Sequence, residues 1–331
     1  MMEPNSHRLT VAPMMDCTDR HCRYFHRRYS RHARLYTEMI AAQALVHGDR
    51  ARLLAFNREE HPVALQIGGS DPDLLSTATR LGCDAGYDEV NLNVGCPSKR
   101  VRSGRFGACL MAEPDHVARC ADAMVGAAGR DVEVTIKCRI GIDDQDPHKT
   151  LPRFIRAIAG SGIRTVLIHA RKAILGGLSP EQNRRIPPLD YPLVLRMKAE
   201  FPDISIVING GLSTLDQAKE QLDAGIDGAM FGRAAYGDPA AILGAADRRL
   251  FDESLPDVSS KTAVLAMLPY IESELRKGQR LHAIVRHMMG AFTGRPGARY
   301  WRRHLASATT TPNAGPELVE NALKSVDADA A

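Results

Sequence analysis

The sequence predicts an α/β fold: a (β/α)8 barrel of the TIM type followed by a smaller all-helical C-terminal domain. Three observations lead there. Apolar strand-like runs recur eight times in about the first 230 residues, separated by helix-length stretches, and strands alternating with helices make a parallel sheet. A polar or glycine-rich group closes every run, as expected where a barrel carries its chemistry at the C-terminal ends of its strands. After about residue 240 the strand pattern stops. An open doubly wound sheet would place Gly-x-Gly-x-x-Gly after its first strand, and no such motif follows here.

The expected strands are 9–14, 35–39, 63–67, 89–94, 132–140, 165–168, 204–208 and 228–231. Between them lie helical stretches at 71–81, 116–127, 150–161 and 214–224, two of them opened by good caps, Ser70-Asp71-Pro72 and Ser213-Thr214. Strand one ends in Pro13-Met14-Met15-Asp16, strand two carries Glu38, and strand three ends in Gln66-Ile67-Gly68-Gly69. In strand four Val90, Leu92 and Val94 alternate with Asn91, Asn93 and Gly95, and Pro97 then forces a turn that presents Cys96 at the barrel rim. Most lone cysteines are small core residues. Here the same strand supplies two asparagines, and polar groups buried in a strand demand partners.

Strand five ends in Lys137-Cys138-Arg139, strand six in His169-Ala170-Arg171, strand seven in Asn209-Gly210-Gly211 and strand eight in Gly232-Arg233. Any one could be a structural polar residue, and a lone histidine such as His169 usually is. A polar group at all eight strand ends is harder to dismiss. The last two ends are the usual phosphate site of such barrels. Asn209, Gly210, Gly211 and Gly232 offer open backbone there, and Arg233 adds a guanidinium fork. Lys137, Gln66 and His169 would then surround a planar ring, and flavin mononucleotide (FMN) fits this set.

The C-terminal part is a different object. Stretches 262–276 and 279–289 read as helices with an apolar face. Residues 276–307 contain no Asp or Glu but carry Arg276, Lys277, Arg280, Arg286, Arg295, Arg299, Arg302 and Arg303. The whole chain is only +4, so the remainder is net acidic, and this asymmetry points to a polyanionic partner. Tyr300 and Trp301 sit among the arginines as stacking or packing groups. The expected organisation is a catalytic barrel at 1–245, a basic helical domain at 246–308 and a flexible tail at 309–331.

At 331 residues and 44% hydrophobic, the chain can bury a large core, and no apolar run approaches a membrane span. The first ten residues lack the apolar core of a signal peptide. Seven scattered cysteines without a Cys-x-x-Cys pair argue against a disulfide framework or a metal site, and for the cytoplasm. No obligate protein partner is expected.

Ala12-Pro13-Met14-Met15-Asp16, Gln66–Gly69, 91–98, 104–111 and 137–141 resemble the tRNA-dihydrouridine synthases. Residues 19–24, 177–180, 186–191 and 297–299 are similar to the DusA branch of that family. The resemblance runs in order from about His7 to Leu305, with Cys17 where tryptophan is expected. It implies a flavin-dependent enzyme in which NADPH reduces bound FMN and a uridine of the tRNA D-loop, position 20 or 20a, is extruded into the barrel mouth. Hydride then passes from flavin N5 to uracil C6, and Cys96 gives a proton to C5. It further implies that Pro13, Met14 and Met15 border the flavin. Asn93 would hold the uracil edge or the ribose, and Gln182, Arg185, Arg299 and Arg302 would touch tRNA. A small-molecule FMN reductase would account for the barrel but not the acid-free arginine cluster. A redox-inert RNA-binding protein would account for the cluster but not the eight strand ends.

Overall fold

The computed structural model describes residues 7–309 and 314–328. The barrel strands are β1 (Leu9–Val11), β2 (Arg34–Tyr36), β3 (Val63–Gly68), β4 (Glu89–Val94), β5 (Glu133–Arg139), β6 (Thr165–His169), β7 (Ser205–Asn209) and β8 (Gly228–Phe231). Each pairs in parallel with its neighbours in sequence, and β8 returns to β1 through Leu9↔Ala229 and Val11↔Phe231. Closure leaves no sheet edge to be protected. Ala12, Tyr36, Ala64, Leu167, Val207 and Met230 fill the inside.

At the N-terminal ends of the strands the interior is charged. Buried Glu89 accepts from His7 Nε2 at 2.7 Å and Tyr36 Oη at 2.6 Å, and Arg34 lies 3.4 Å away. Burial raises the Glu89 pKa, but His7 and Arg34 outweigh it and hold the carboxyl below its ordinary value. This knot fills the bottom of the barrel.

The covering helices are α1 (Arg20–Arg27), α2 (Pro72–Asp84), α3 (Pro114–Ala128), α4 (Pro147–Ala159), α5 (Tyr191–Glu200), α6 (Leu215–Asp223) and α7 (Arg233–Gly237). Asp71, Asp146 and Asp190 cap α2, α4 and α5, each with proline in the first two helical positions. Thr214 and Gln217 form the capping box of α6. Strand five runs one residue short at each end of the expected 132–140, and two strands end early at the mouth. β1 stops at Val11, because Pro13 has no N–H for the ladder and the chain turns, with Cys17 and Thr18 donating to the Met14 carbonyl. β2 stops at Tyr36, and Ile40–Ala41 pairs separately with Ile67 and Gly68.

The C-terminal helices are α8 (Ser260–Leu265), α9 (Leu268–Arg276), α10 (Leu281–Val285), α11 (Ala298–Ala306) and α12 (Pro316–Ala328). The single helix expected at 262–276 is two, because Pro269 cannot donate to a carbonyl one turn earlier and instead opens α9. The expected tail is corrected in part. Residues 310–313 and 329–331 lie outside the described residues, but α12 is a formed helix whose Val319, Ala322, Leu323 and Val326 are buried. Their spacing is that of one helical face, and it outweighs the small polar residues around it. The core is continuous across the expected boundary near residue 245, and one apolar cluster runs from Leu9 through Leu243 and Ala246 to Trp301 and Val326. Among the described residues, no helix is long and apolar enough to cross a membrane. All seven cysteines are free.

Candidate active site

The Cys96 turn is built by a ladder of side-chain amides. Asn93 Oδ1 accepts from the backbone of Gly95 at 3.1 Å and Cys96 at 3.0 Å, so it shapes the turn that carries the thiol. Asn93 Nδ2 donates to Gln66 Oε1 at 2.8 Å, Gln66 Nε2 to Asn91 Oδ1 at 2.8 Å, and Asn91 Nδ2 to Thr135 Oγ1 at 2.7 Å. The polar residues of β3 and β4 thus satisfy one another across the barrel interior, and a satisfied buried network is rigid. From outside, Ala108 N donates to the Cys96 carbonyl at 2.9 Å. Gly107 makes that approach possible: its φ is +77°, and a Cβ there would lie 2.7 Å from the Cys96 oxygen. Arg139 completes the support. It donates to the carbonyls of Gly95 at 3.2 Å, Lys172 at 3.2 Å and Asn183 at 3.0 Å, tying the turn to the loop after β6.

A cationic floor lies beside the half-buried thiol. Lys137 Nζ donates to Asn209 Oδ1 at 2.9 Å, and Asn209 Nδ2 donates to the Met230 carbonyl at 2.8 Å. Burial, together with the charge of Arg139, pushes the Lys137 ammonium down to about 8. Burial likewise drives His169 well below its ordinary value, assisted by Arg139, Lys137, Arg171 and Arg184, so its imidazole is neutral.

The ends of β7 and β8 form the expected cup. Gly210 has φ +107°, and a Cβ there would lie 2.6 Å from the His169 ring. Gly211, with φ +77°, faces Leu189 and Tyr191, and Tyr191 Oη bonds the Gly210 carbonyl. Met14 reaches toward Gly232 and packs on the interior cluster, whereas Met15 is 54% exposed at the mouth and Pro13 is half-buried. Two guanidiniums share the cup: Arg171 is lowered by burial and further by the like charge of Arg233. Neither has a carboxylate partner among the described residues, and the Nε of Arg171 is buried without an acceptor.

The residues expected to touch nucleic acid divide into two groups. Gln182 and Arg185 stand exposed on the loop after β6, where the Arg185 guanidinium lies 3.5 Å from Glu181. Arg299 and Arg302 are one turn apart on α11, exposed, with no carboxylate among the described residues. Trp301 on the same helix is fully buried. It donates Nε1 to the Met288 carbonyl at 2.9 Å and meets Phe292 edge-on at 4.9 Å, so it packs the core rather than presenting a stacking face. Arg286 and His287 are also committed: both bind Asp19 Oδ2, at 2.8 and 2.9 Å, while Asp19 Oδ1 caps α1.

A family model for dihydrouridine synthase matches residues 10–327. The chain belongs to the dihydrouridine synthase family. It is similar to the tRNA-dihydrouridine(20/20a) synthase of Synechocystis sp., 51% identical over 96% of this chain and 93% of the relative. It is 51% identical to that of Vibrio cholerae over 97% of each chain. The corresponding Yersinia pestis protein is 52% identical over 96% of this chain and 90% of its own. The old yellow enzyme homologue of Zymomonas mobilis shares the fold, with a TM-score of 0.54 at 13% identity, covering 77% of this chain and 92% of that one. In this dihydrouridine synthase chain the structure draws Gln66, Asn93, Cys96, Lys137, His169, Asn209, Gly210, Gly211, Gly232 and Arg233 to one end of the barrel. Sequence reasoning missed the roles of Arg139 and Arg171. Both lie two residues beyond a polar strand-end residue, on the same face, and that spacing was the available signal.

Proposed function

We propose that this enzyme reduces a uridine in the D-loop of tRNA, at position 20 or 20a, to 5,6-dihydrouridine, using FMN with NADPH as reductant, in the cytoplasm. The observation that carries the reading is identity above 50% across almost the whole chain to relatives named for that reaction. The residues fit a flavin phosphate: Arg171 and Arg233 repel one another without an acid between them, and Gly210 and Gly211 leave backbone open beside them. Lys137, hydrogen-bonded to Asn209, would hold the ring together with neutral His169 and with Gln66, which is fixed by Asn91 and Asn93.

When bound, the flavin supplies a hydride to C6 of the uracil. The chain's own part is to bring the base there and deliver a proton. Cys96 Sγ stands at the rim, on the turn that Arg139 holds by its bond to the Gly95 carbonyl. Its proton would pass to C5, and the thiol would then be restored by a proton from solvent. Asn93 would act by fixing the turn, with one amide hydrogen left for the substrate. Exposed Met15, Ile186 and Leu189 give the mouth an apolar rim for an unstacked base. Residues 246–308, as the basic helical unit, would grip the RNA through Arg299 and Arg302.

Purified protein incubated with unmodified tRNA and NADPH is expected to form dihydrouridine, detected by mass spectrometry of nuclease digests. Flavin turnover with no change in tRNA would contradict the reading. The double variant Arg299→Glu, Arg302→Glu is expected to lower tRNA affinity by at least about tenfold and to flatten the salt dependence by about two phosphate contacts. NADPH oxidation without tRNA should be unchanged, and wild-type tRNA affinity in the variant would make this face a solvated surface.

The Lys137 ammonium makes flavin binding pH-dependent. Its charge is lost as pH rises through about 8 in the free protein. An anionic ligand favours the charged form, so affinity should hold below about pH 7 and decline at higher pH. Flavin fluorescence titrations across that range check this, with Lys137→Met expected to give weaker binding and a flat profile.

A further inference from the structure

Glu38 is a half-buried carboxylate at the end of the second strand run, with no part in the thiol turn or the phosphate cup. Its backbone is anchored on both sides. Thr37 N donates to the Ala64 carbonyl at 2.9 Å, and Thr37 Oγ1 accepts from Gln66 N at 2.9 Å and donates to the Glu38 carbonyl at 2.8 Å. Two residues on, Ile40 and Ala41 pair with Ile67 and Gly68 of β3.

The side chain is spent on the turn after β1. Glu38 Oε1 accepts from Asp16 N. Asp16 is exposed and has φ +62°, the left-handed region that residues other than glycine adopt uncommonly. Met14 N, Cys17 N and Thr18 N are satisfied inside the turn, the first by Thr18 Oγ1 at 3.0 Å and the others by the Met14 carbonyl at 3.1 and 3.0 Å. Asp16 N instead bonds across to another segment, so Glu38 ties down the left-handed residue. The tie is made against opposing charge. Burial raises the Glu38 carboxyl, the bond from Asp16 N works against that, and the charges of Asp19 and Asp16 add to the rise, with Arg23 opposing. A carboxylate facing two others is costly to keep, and what it holds in return is the Asp16 amide.

That amide belongs to the chain at the edge of the cup. Met14, two residues before Asp16, packs on the interior cluster, and its sulfur would lie 3.4 Å from a Cβ on Gly232 at the end of β8. We infer that Glu38 is a positioning residue for the flavin: through its bond to Asp16 N it locks the turn after β1 and so sets Met14 and Met15 at the edge of the flavin site. The inference rests on the proposed function, since it takes FMN as the group in the barrel mouth.

The test dilutes the flavin-loaded full chain serially and reads the released FMN by its fluorescence. Glu38→Met keeps the length of the side chain without its acceptor and should raise the FMN dissociation constant about tenfold. The flavin it still binds should give a visible difference spectrum against the wild type, which a loss of stability elsewhere would not produce. Glu38→Gln keeps an oxygen acceptor and should bind FMN more tightly than Glu38→Met. Asp16→Val, at an exposed site, disfavours the left-handed φ and should give the same weakening and the same difference spectrum. The double variant Glu38→Met, Asp16→Val should be no weaker than the worse single one, because both changes break one tie. Wild-type affinity and spectrum in Glu38→Met, equal weakening in Glu38→Gln, or losses that multiply in the double variant would each overturn the positioning role. If Glu38→Met does not fold, Asp16→Val decides alone, and wild-type affinity and spectrum there overturn the role. A wild-type chain that retains no FMN would instead overturn the proposed cofactor, so the two failures are distinguishable.

Discussion

Cys96→Ala should bind flavin and accept electrons from NADPH as the wild type does, yet form dihydrouridine about 10² to 10⁴ times more slowly, the usual cost of removing one positioned acid. The separation follows from the architecture. The residues proposed to hold flavin lie on or just past β1, β3, β5, β6, β7 and β8, whereas Cys96 hangs from the end of β4 on a turn held by Asn93, Ala108 and Arg139. Alanine keeps every one of those backbone bonds, so the fold of the turn should survive. The rates are read in two experiments: stopped-flow bleaching of the flavin by NADPH, and single-turnover product formation with tRNA. Near-normal product formation by the variant would remove Cys96 from the mechanism. Slow reduction by NADPH would mean that the thiol also shapes the flavin pocket.

Deleting residues 255–331 is expected to abolish the soluble folded protein, not to release a flavin-binding barrel. A purely charge-based view of the C-terminal part suggests a detachable RNA grip. The packing says otherwise. Val264, Ile271, Leu281, Ile284, Met288 and Trp301 are all fully or almost fully buried in the same cluster as the barrel helices. Tyr270 stacks on Tyr24 of α1 at 3.9 Å and takes a 2.7 Å hydrogen bond with His21. Arg286 and His287 bind the carboxylate that caps α1, and although burial raises the Asp19 pKa, its hydrogen bonds to His287, the Cys22 backbone and Arg286 hold it well below the usual range. Each large apolar side chain removed from such a core costs about 1.5–3 kcal/mol, against a typical total stability of about 5–15 kcal/mol. Loss of these contacts and exposure of α1 therefore exceed what the barrel can absorb. Size-exclusion chromatography and thermal melting of the truncated chain check this; a monodisperse fragment with a cooperative melt and bound flavin would show that the barrel stands alone.

The barrel was legible because its signal is periodic and local. Strand runs of alternating apolar residues, closed by Gly, Pro or a polar group, give strand positions to within a few residues, and the apolar faces of α2, α3 and α4 do the same for helices. The active end was legible for a related reason: in a parallel barrel every strand delivers its last residues to one mouth, so the order of residues along the chain already groups Gln66, Cys96, Lys137, His169, Asn209 and Arg233. What local pattern could not assign was the partner of each group. Asn93 reads as a substrate contact in sequence, but its carboxamide oxygen is spent on the backbone of Gly95 and Cys96. Arg139 is only one of the polar residues that close strand five in the sequence, but it bonds three carbonyls, one in the Cys96 turn and two in the loop after β6.

The sequence by itself determined the element order, the closed parallel architecture and the face on which the chemistry lies, because these depend on residue periodicity and on where the chain must turn. Only the tertiary structure decided which C-terminal cations remain free. Arg286 and Arg299 are indistinguishable as letters in an acid-free segment, but folding brings Asp19 of the β1–α1 loop within 2.8 Å of Arg286, while no carboxylate among the described residues reaches Arg299. The fate of α12 was decided the same way. Its apolar face has value only where α11 and the rest of the C-terminal core cover it, and burial of a helix face is a property of the assembled molecule, not of the segment.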